Sequence, residues 1–331
     1  MLILNLESMN DGIEDFIGFY DEKGFWVEEW IDFDDQVERK KLRGIIPEPV
    51  IWHHTGKFSA AVCIDGMMLL RMTELAKTRP PMSDPDQINQ AVQWWDEHMD
   101  YANVMQLFIE SESIKCLDSG EISFSAVSIA NTCRVGFRGG IPVRKSHSNN
   151  ISLMAARCTS LGMDGAHVPH HDIGTWSNFT KVKKATISAA LQQFEKAVDD
   201  PVLIKRLAFI ARAKSAYQNH DFRGSFTMLW FVIESVAKEL WLLKVKGKKA
   251  KKPTIYEILI DLEKDSIISS AQYGAIDDLR DRVRNVLMHQ PVTAVCLPDD
   301  CFKAADSAMQ LLRSKVTTPD ITLKWNFGVQ F

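Results

Sequence analysis

The residues best suited to chemistry lie in one stretch, Asp277-Asp278-Leu279-Arg280-Asp281-Arg282-Val283-Arg284-Asn285-Val286-Leu287-Met288-His289-Gln290. Arg284, Asn285 and His289 are the types that phosphodiester cleavage uses. Cutting RNA without a metal needs a base for the 2′-hydroxyl proton, a cation for the charge that develops on phosphorus, and an acid for the leaving 5′-oxygen. Imidazole exchanges protons near neutral pH. A guanidinium matches two phosphate oxygens and keeps its charge. One Arg–His set provides one proton-transfer group, so a twofold dimer that brings two sets together would provide both.

The element that must carry them is a helix. On helical geometry Asn285 and His289 are one turn apart on one face. Arg284 is about 140° from His289 at roughly 100° per residue, and its long side chain reaches the same solvent pocket. Val283, Val286 and Leu287 anchor the helix, and Pro291 ends it. The plain alternative has His289 favouring the helix dipole at a C-terminus and Arg284 paired with Asp281 or Asp278 on the surface.

From Thr186 to Val316 helical periodicity dominates. Ile187, Leu191, Phe194 and Val198 form one stripe, and Pro201 opens a second helix with Leu203, Leu207, Ile210 and Tyr217 inward. Phe222 to Trp241 is very apolar, and helices follow at Ile255–Leu262, about Ser270–Gln290 and about Asp300–Val316. Short links between them predict an antiparallel bundle.

The order of these pieces carries a family likeness. Arg284-Asn285-Val286-Leu287-Met288-His289 resembles the HEPN signature, an arginine, a polar residue, three variable positions and a histidine. The alanine-rich helix Arg206–Tyr217, then the aromatic helix Phe226–Ser235 with Glu234, then the signature helix, resembles the Apea-like HEPN branch across about residues 200–316. The resemblance implies a helical bundle that dimerises through its signature helices. It also implies a metal-independent endoribonuclease acting in phage defence or as a toxin, with an antitoxin or inhibitor protein as a further partner. Carried over by position, Arg284 binds phosphate, Asn285 orients the site, His289 is base or acid, and Glu234 positions Arg284. Some members of the family are inactive dimerisation or binding modules, and that is the alternative reading here, with the N-terminal part binding a partner or ligand.

Lys244, Lys246, Lys248, Lys249, Lys251 and Lys252 crowd one loop and are read as RNA-backbone contacts, extended by Arg280 and Arg282. Charge is divided in the same sense. Residues 1–182 hold 16 Lys and Arg against 26 Asp and Glu, while residues 183–331 hold 23 against 17. His167, His170 and His171 have metal-binding residue types, yet their spacing fits no metal motif, and His53-His54 fits still less well. No phosphate-cradling glycine loop and no GxSxG elbow occurs, so no nucleotide or other cofactor is expected.

The 331 residues exceed one ordinary core and predict two domains, 1–182 and 183–331. The first reads as a mixed, β-containing sensor or regulatory domain. Strands are expected at Gly24–Ile31, Val50–Trp52, Phe58–Ile64 and Glu121–Ile129, with a long helix at about Asp86–Ser111. The second reads as the all-α bundle, so the fold class is α+β. A hydrophobic fraction of 46% with 25% charged residues is usual for a globular protein, and no apolar run of membrane-spanning length occurs. The N-terminal stretch lacks a basic leader, and six scattered cysteines without a CxxC pair suit free thiols in the cytoplasm.

Overall fold

The computed structural model describes residues 12–21, 24–29, 31, 35–42, 44–78, 88–116, 122–147, 180–244, 253–314 and 320–325. The fold is α+β, an antiparallel sheet region followed by a helical region. The chain divides into two compact units, Met1–Gln192 and Gln193–Phe331.

The first unit is built on six strands, β1 (Glu14–Phe19), β3 (Pro49–His54), β4 (Phe58–Cys63), β5 (Met68–Met72), β6 (Thr132–Arg138) and β7 (Ile141–His147), in the order β3-β4-β5-β1-β6-β7. Every pairing is antiparallel. β1 lies between β5 and β6, with Ile17 opposite Leu70 on one side and Arg134 on the other. The central strands are buried on both faces, so they read as unbroken apolar runs rather than alternating ones. Phe16, Tyr20, Ala61, Cys63, Met67, Leu69, Cys133, Val135 and Phe137 form one core. Gly18 has a packing reason to lack a side chain, since a Cβ there would stand 2.6 Å from Met67 Cε and 2.9 Å from Cys133 Sγ. Within this unit the wholly buried Asp65 accepts from Tyr20 Oη at 2.5 Å and from Met67 N at 3.2 Å. A short parallel pair joins β2 (Trp26–Val27) to β8 (Lys181–Val182). The strand expected over Gly24–Ile31 is cut to two residues because Glu28 takes φ 68°, outside the β region.

Between β5 and β6 lie α2 (Thr73–Lys77) and the 28-residue α3 (Ile88–Lys115); α1 (Gln36–Lys40) precedes β3. Of the expected strand Glu121–Ile129, residues 122–129 join no sheet among the described residues, and Glu121 lies outside them. Residues 122–128 run extended along α3, and helix side chains replace the missing ladder. Ile122 N donates to Ser113 Oγ at 3.2 Å and Phe124 N to Glu110 at 3.0 Å. Val127 N donates to Asn103 Oδ1 at 2.8 Å, and Asn103 Nδ2 donates back to Val127 O at 3.2 Å. Ile122 and Phe124 are buried two residues apart and Val127 three further on, so the apolar pattern here reports burial against the helix and not sheet pairing.

α4 (Lys184–Ala197) leads into the second unit, made of α5 (Pro201–Gln218), α6 (Phe222–Lys244), α7 (Ile255–Lys264), α8 (Ser270–Asp278), α9 (Asn285–His289) and α10 (Pro298–Arg313). Local signals set the starts. Asp200 caps α5 by accepting from Val202 N and Leu203 N, with Pro201 at the first position. Thr254–Glu257 and Ser269–Gln272 close capping boxes on α7 and α8. α6 is the hub, packed on α5, α7 and α10, with Phe226, Leu229, Trp230, Ile233, Val236, Ala237 and Leu240 buried. Each buried Val, Leu, Ile or Phe among them contributes about 1.5–3 kcal/mol. No helix among the described residues is long and apolar enough to cross a membrane.

Candidate active site

The helix expected over Ser270–Gln290 contains a feature that periodicity did not disclose. Residues Leu279–Arg284 form a π-helical turn between α8 and α9. Such turns insert one extra residue into the hydrogen-bond ladder and recur at functional sites. The apolar side chains of this turn, Leu279 and Val283, are buried, which fixes its inner face. Arg284 closes the turn and Asn285 opens α9.

Arg284 is half-buried. Its Nη1 donates to Asn285 Oδ1 at 3.1 Å, and its Nη2 stands 3.7 Å from Glu234 Oε1 on α6. Its Nε is buried without a hydrogen-bond partner among the described residues. The Nε–H is shut off from solvent, so only the N–H groups of Nη1 and Nη2 not turned to Asn285 and Glu234 are left to meet an anion. Glu234 is itself fixed, accepting from Trp230 Nε1 at 2.8 Å and from Lys238 Nζ at 3.0 Å. Asn285 Nδ2 reaches Asp281 Oδ1 at 3.5 Å. His289 is exposed in the last turn of α9, one helical turn beyond Asn285, and no hydrogen bond or ion pair engages it among the described residues. The helix ends at Gln290, and Arg223 of α6 ties down the following loop by donating to Pro291 O at 2.9 Å and to Ala294 O.

The structure thus brings Arg284, Asn285 and Glu234 together, with His289 at the open end of the same helix. Arg280 and Arg282 have partners within the bundle. Arg280 pairs with Asp277 at 2.7 Å and lies 4.7 Å over the Tyr256 ring; Arg282 pairs with Asp278 at 3.3 Å and with the buried Asp300 at 2.7 Å. Lys244 ends α6, with its side chain outside the described residues, as are Lys246, Lys248, Lys249, Lys251, Lys252, His167, His170 and His171. His54 bonds Ser59 Oγ at 3.0 Å and stacks on Trp52, while His53 stacks on Phe58. Among the described residues no group of three or more His, Cys, Asp or Glu side chains is placed to hold a metal ion.

Two residues of the site were not foreseen. Trp230 and Lys238 flank Glu234 at i−4 and i+4, and that spacing on one helix face was the available signal. Glu234 also lines an open groove of about 480 Å³ on α6, with Phe231, Ser235, Lys238, Glu239 and Leu242. Beneath it the buried Arg206 donates to Ser235 Oγ at 2.8 and 2.9 Å and pairs with Glu239. Comparisons with family models, with curated proteins and with solved structures returned no match to this chain.

Proposed function

We propose that the second unit is a HEPN-type, metal-independent endoribonuclease that works as a homodimer in phage defence or as a toxin. The observation that carries the reading is the state of Arg284. It is a half-buried guanidinium oriented by Glu234 and Asn285, with donors still available to phosphate oxygens. In the reaction Arg284 holds the scissile phosphate and stabilises the charge that grows on it. His289 of one copy takes the 2′-hydroxyl proton, and His289 of the second protonates the leaving 5′-oxygen. Asn285 fixes the guanidinium, and Glu234 sets its direction. The products are a 2′,3′-cyclic phosphate and a free 5′-hydroxyl.

Incubation of the protein with total cellular RNA in EDTA tests this, beside His289→Ala and Arg284→Ala variants. Cleavage by the parent and by neither variant is the expected result. A second reading has the Glu234–Arg284 pair serve helix packing in a non-catalytic dimerisation or binding module; its specific support is that Arg284 already has two protein partners. RNA binding without cutting across many substrates, with Arg284→Ala lowering the melting temperature, would establish that reading instead.

A further inference from the structure

After the signature helix in sequence, and packed on the start of α6, come two cysteines that the ribonuclease reading does not use. Cys296 lies in the loop before α10 and Cys301 in its second turn, with their Sγ atoms 3.9 Å apart. Both thiols share one acceptor, Phe222 O, at 3.4 Å from Cys296 Sγ and 3.1 Å from Cys301 Sγ. A third group completes the site. The Ser225 hydroxyl is wholly buried and has no hydrogen-bond partner among the described residues. As a thiolate, Cys301 is stabilised first by the Cys296 thiol and then by the Ser225 hydroxyl and Phe226 N–H, while burial and the Asp300 carboxylate oppose it. The balance holds Cys301 below the usual thiol range. The same pairing, with burial and Asp300, pushes Cys296 up, and the Arg223 guanidinium acts against that rise. Tyr217 also faces Cys301.

We propose that Cys296 and Cys301 form a redox-active dithiol that hydrogen peroxide converts to an intrachain disulfide. The Cys301 thiolate attacks one peroxide oxygen, the O–O bond breaks, and sulfenic acid forms at Cys301 with release of hydroxide. Cys296 sulfur then attacks the sulfenic sulfur, forming S–S and expelling hydroxide, which takes up the Cys296 proton as water. Two sulfurs lose two electrons in total, and the peroxide is reduced to two waters once the Cys301 proton is counted. The sulfurs must close from 3.9 Å to about 2.05 Å, a movement confined to a six-residue ring. Cys301 is fully covered and Cys296 is 8% exposed, in a loop whose Val295 and Leu297 face solvent, so the peroxide must enter from the Cys296 side. The two other core thiols form a contrast. Cys63 and Cys133 are buried in the sheet unit, where burial raises both, Cys133 to about 11, and neither is poised to react.

The test treats the full chain with a few equivalents of hydrogen peroxide. It then unfolds the protein in acid, alkylates it, digests it with trypsin and weighs the peptide 285–303, which holds Cys296 and Cys301 and no other cysteine. The expected peptide has lost two hydrogens and carries no alkyl group, while Cys63 and Cys133 alkylate fully. Its formation should outpace oxidation of the partly exposed Cys116 several-fold. In Cys296→Ser the intermediate should accumulate and be trapped at Cys301 by dimedone. A doubly alkylated 285–303 peptide at doses that already oxidise Cys116 overturns the proposal. So does faster disulfide formation between Cys63 and Cys133.

Discussion

Glu234 Oε1 stands 3.7 Å from Arg284 Nη2 while also accepting from Trp230 Nε1 at 2.8 Å, so one carboxylate oxygen links the indole of α6 to the guanidinium at the end of the π turn. The carboxylate is held from behind by Lys238 at 3.0 Å and so has little freedom to follow Arg284 if that residue shifts. The pair sets a direction for the cation and leaves part of its Nη edge without a protein partner.

If Glu234 acts by aiming Arg284, Glu234→Gln keeps the indole bond and removes the ionic constraint. Cleavage under single-turnover conditions should fall by about 10- to 100-fold, in the range that orienting partners of a functional group contribute. Arg284→Lys keeps the charge and loses the fork, and should fall further, by about 10²- to 10³-fold. Equal rates for Glu234→Gln and the parent would show that the ion pair has no part in the reaction.

Asp65 makes a pH prediction with a definite sign. Burial raises its carboxyl from the ordinary 3.8 to about 6, against the lowering effect of the Tyr20 hydroxyl. The folded state therefore binds more protons than the unfolded chain between these values. The stability it contributes is fully present below about pH 4 and is lost as pH rises through 6, by about 3 kcal/mol at roughly 1.4 kcal/mol per unit. Urea unfolding at pH 4, 5, 6 and 7 reads this as a stability difference between Asp65→Asn and the parent that grows in favour of the variant with pH. A difference that stays flat would refute the assignment.

Asn103 spans both backbone groups of Val127 and also donates to Met99 O at 2.7 Å. Asn103→Ala leaves a buried N–H and a buried C=O unpaired, at about 1–3 kcal/mol each. Chemical denaturation should show a loss of about 2–4 kcal/mol. A loss under about 0.5 kcal/mol, the size of an ordinary surface change, would mean that the 122–128 segment is held by apolar packing alone.

Gly224 leaves room for the Asp221 carboxylate to cap α6. A Cβ there would lie 2.1 Å from Asp221 Oδ2, and Asp221 Oδ1 accepts from Gly224 N at 2.9 Å at the start of α6. Gly224→Ala should displace the cap and cost about 1–2 kcal/mol. Asp221→Ala loses the same cap, so the double variant should be no less stable than the worse single one. Additive losses in a thermal-melt series would show that the clash has another source.

Much of this architecture was legible because its signals are local. Asp200-Pro201, Thr254 to Glu257 and Ser269 to Gln272 mark helix starts in any context, and the apolar stripes from Ile187 onward give the bundle. β1 and β5 were not visible. Glu14–Phe19 and Met68–Met72 are central strands whose alternation is erased by burial on both faces, and β1 finds its partners about 50 and 120 residues away. Arg284, Asn285 and His289 were legible as types at a spacing. The π turn beneath them was not, since its buried residues Leu279 and Val283 keep the i, i+4 spacing of an ordinary helix. Arg280 and Arg282 show the converse limit: a basic pair looks available in sequence, and its acids at 277, 278 and 300 become visible as partners only in three dimensions.

The 122–128 segment has one further consequence. In a sheet, amides are protected by a neighbouring backbone and open together with it. Here the protection of Ile122, Phe124 and Val127 depends on three separate side chains of α3, those of Ser113, Glu110 and Asn103. Hydrogen–deuterium exchange along the segment is therefore set position by position, and each protected amide is a separate genetic locus. A single codon change in the helix unlocks one amide of the strap and leaves its neighbours slow.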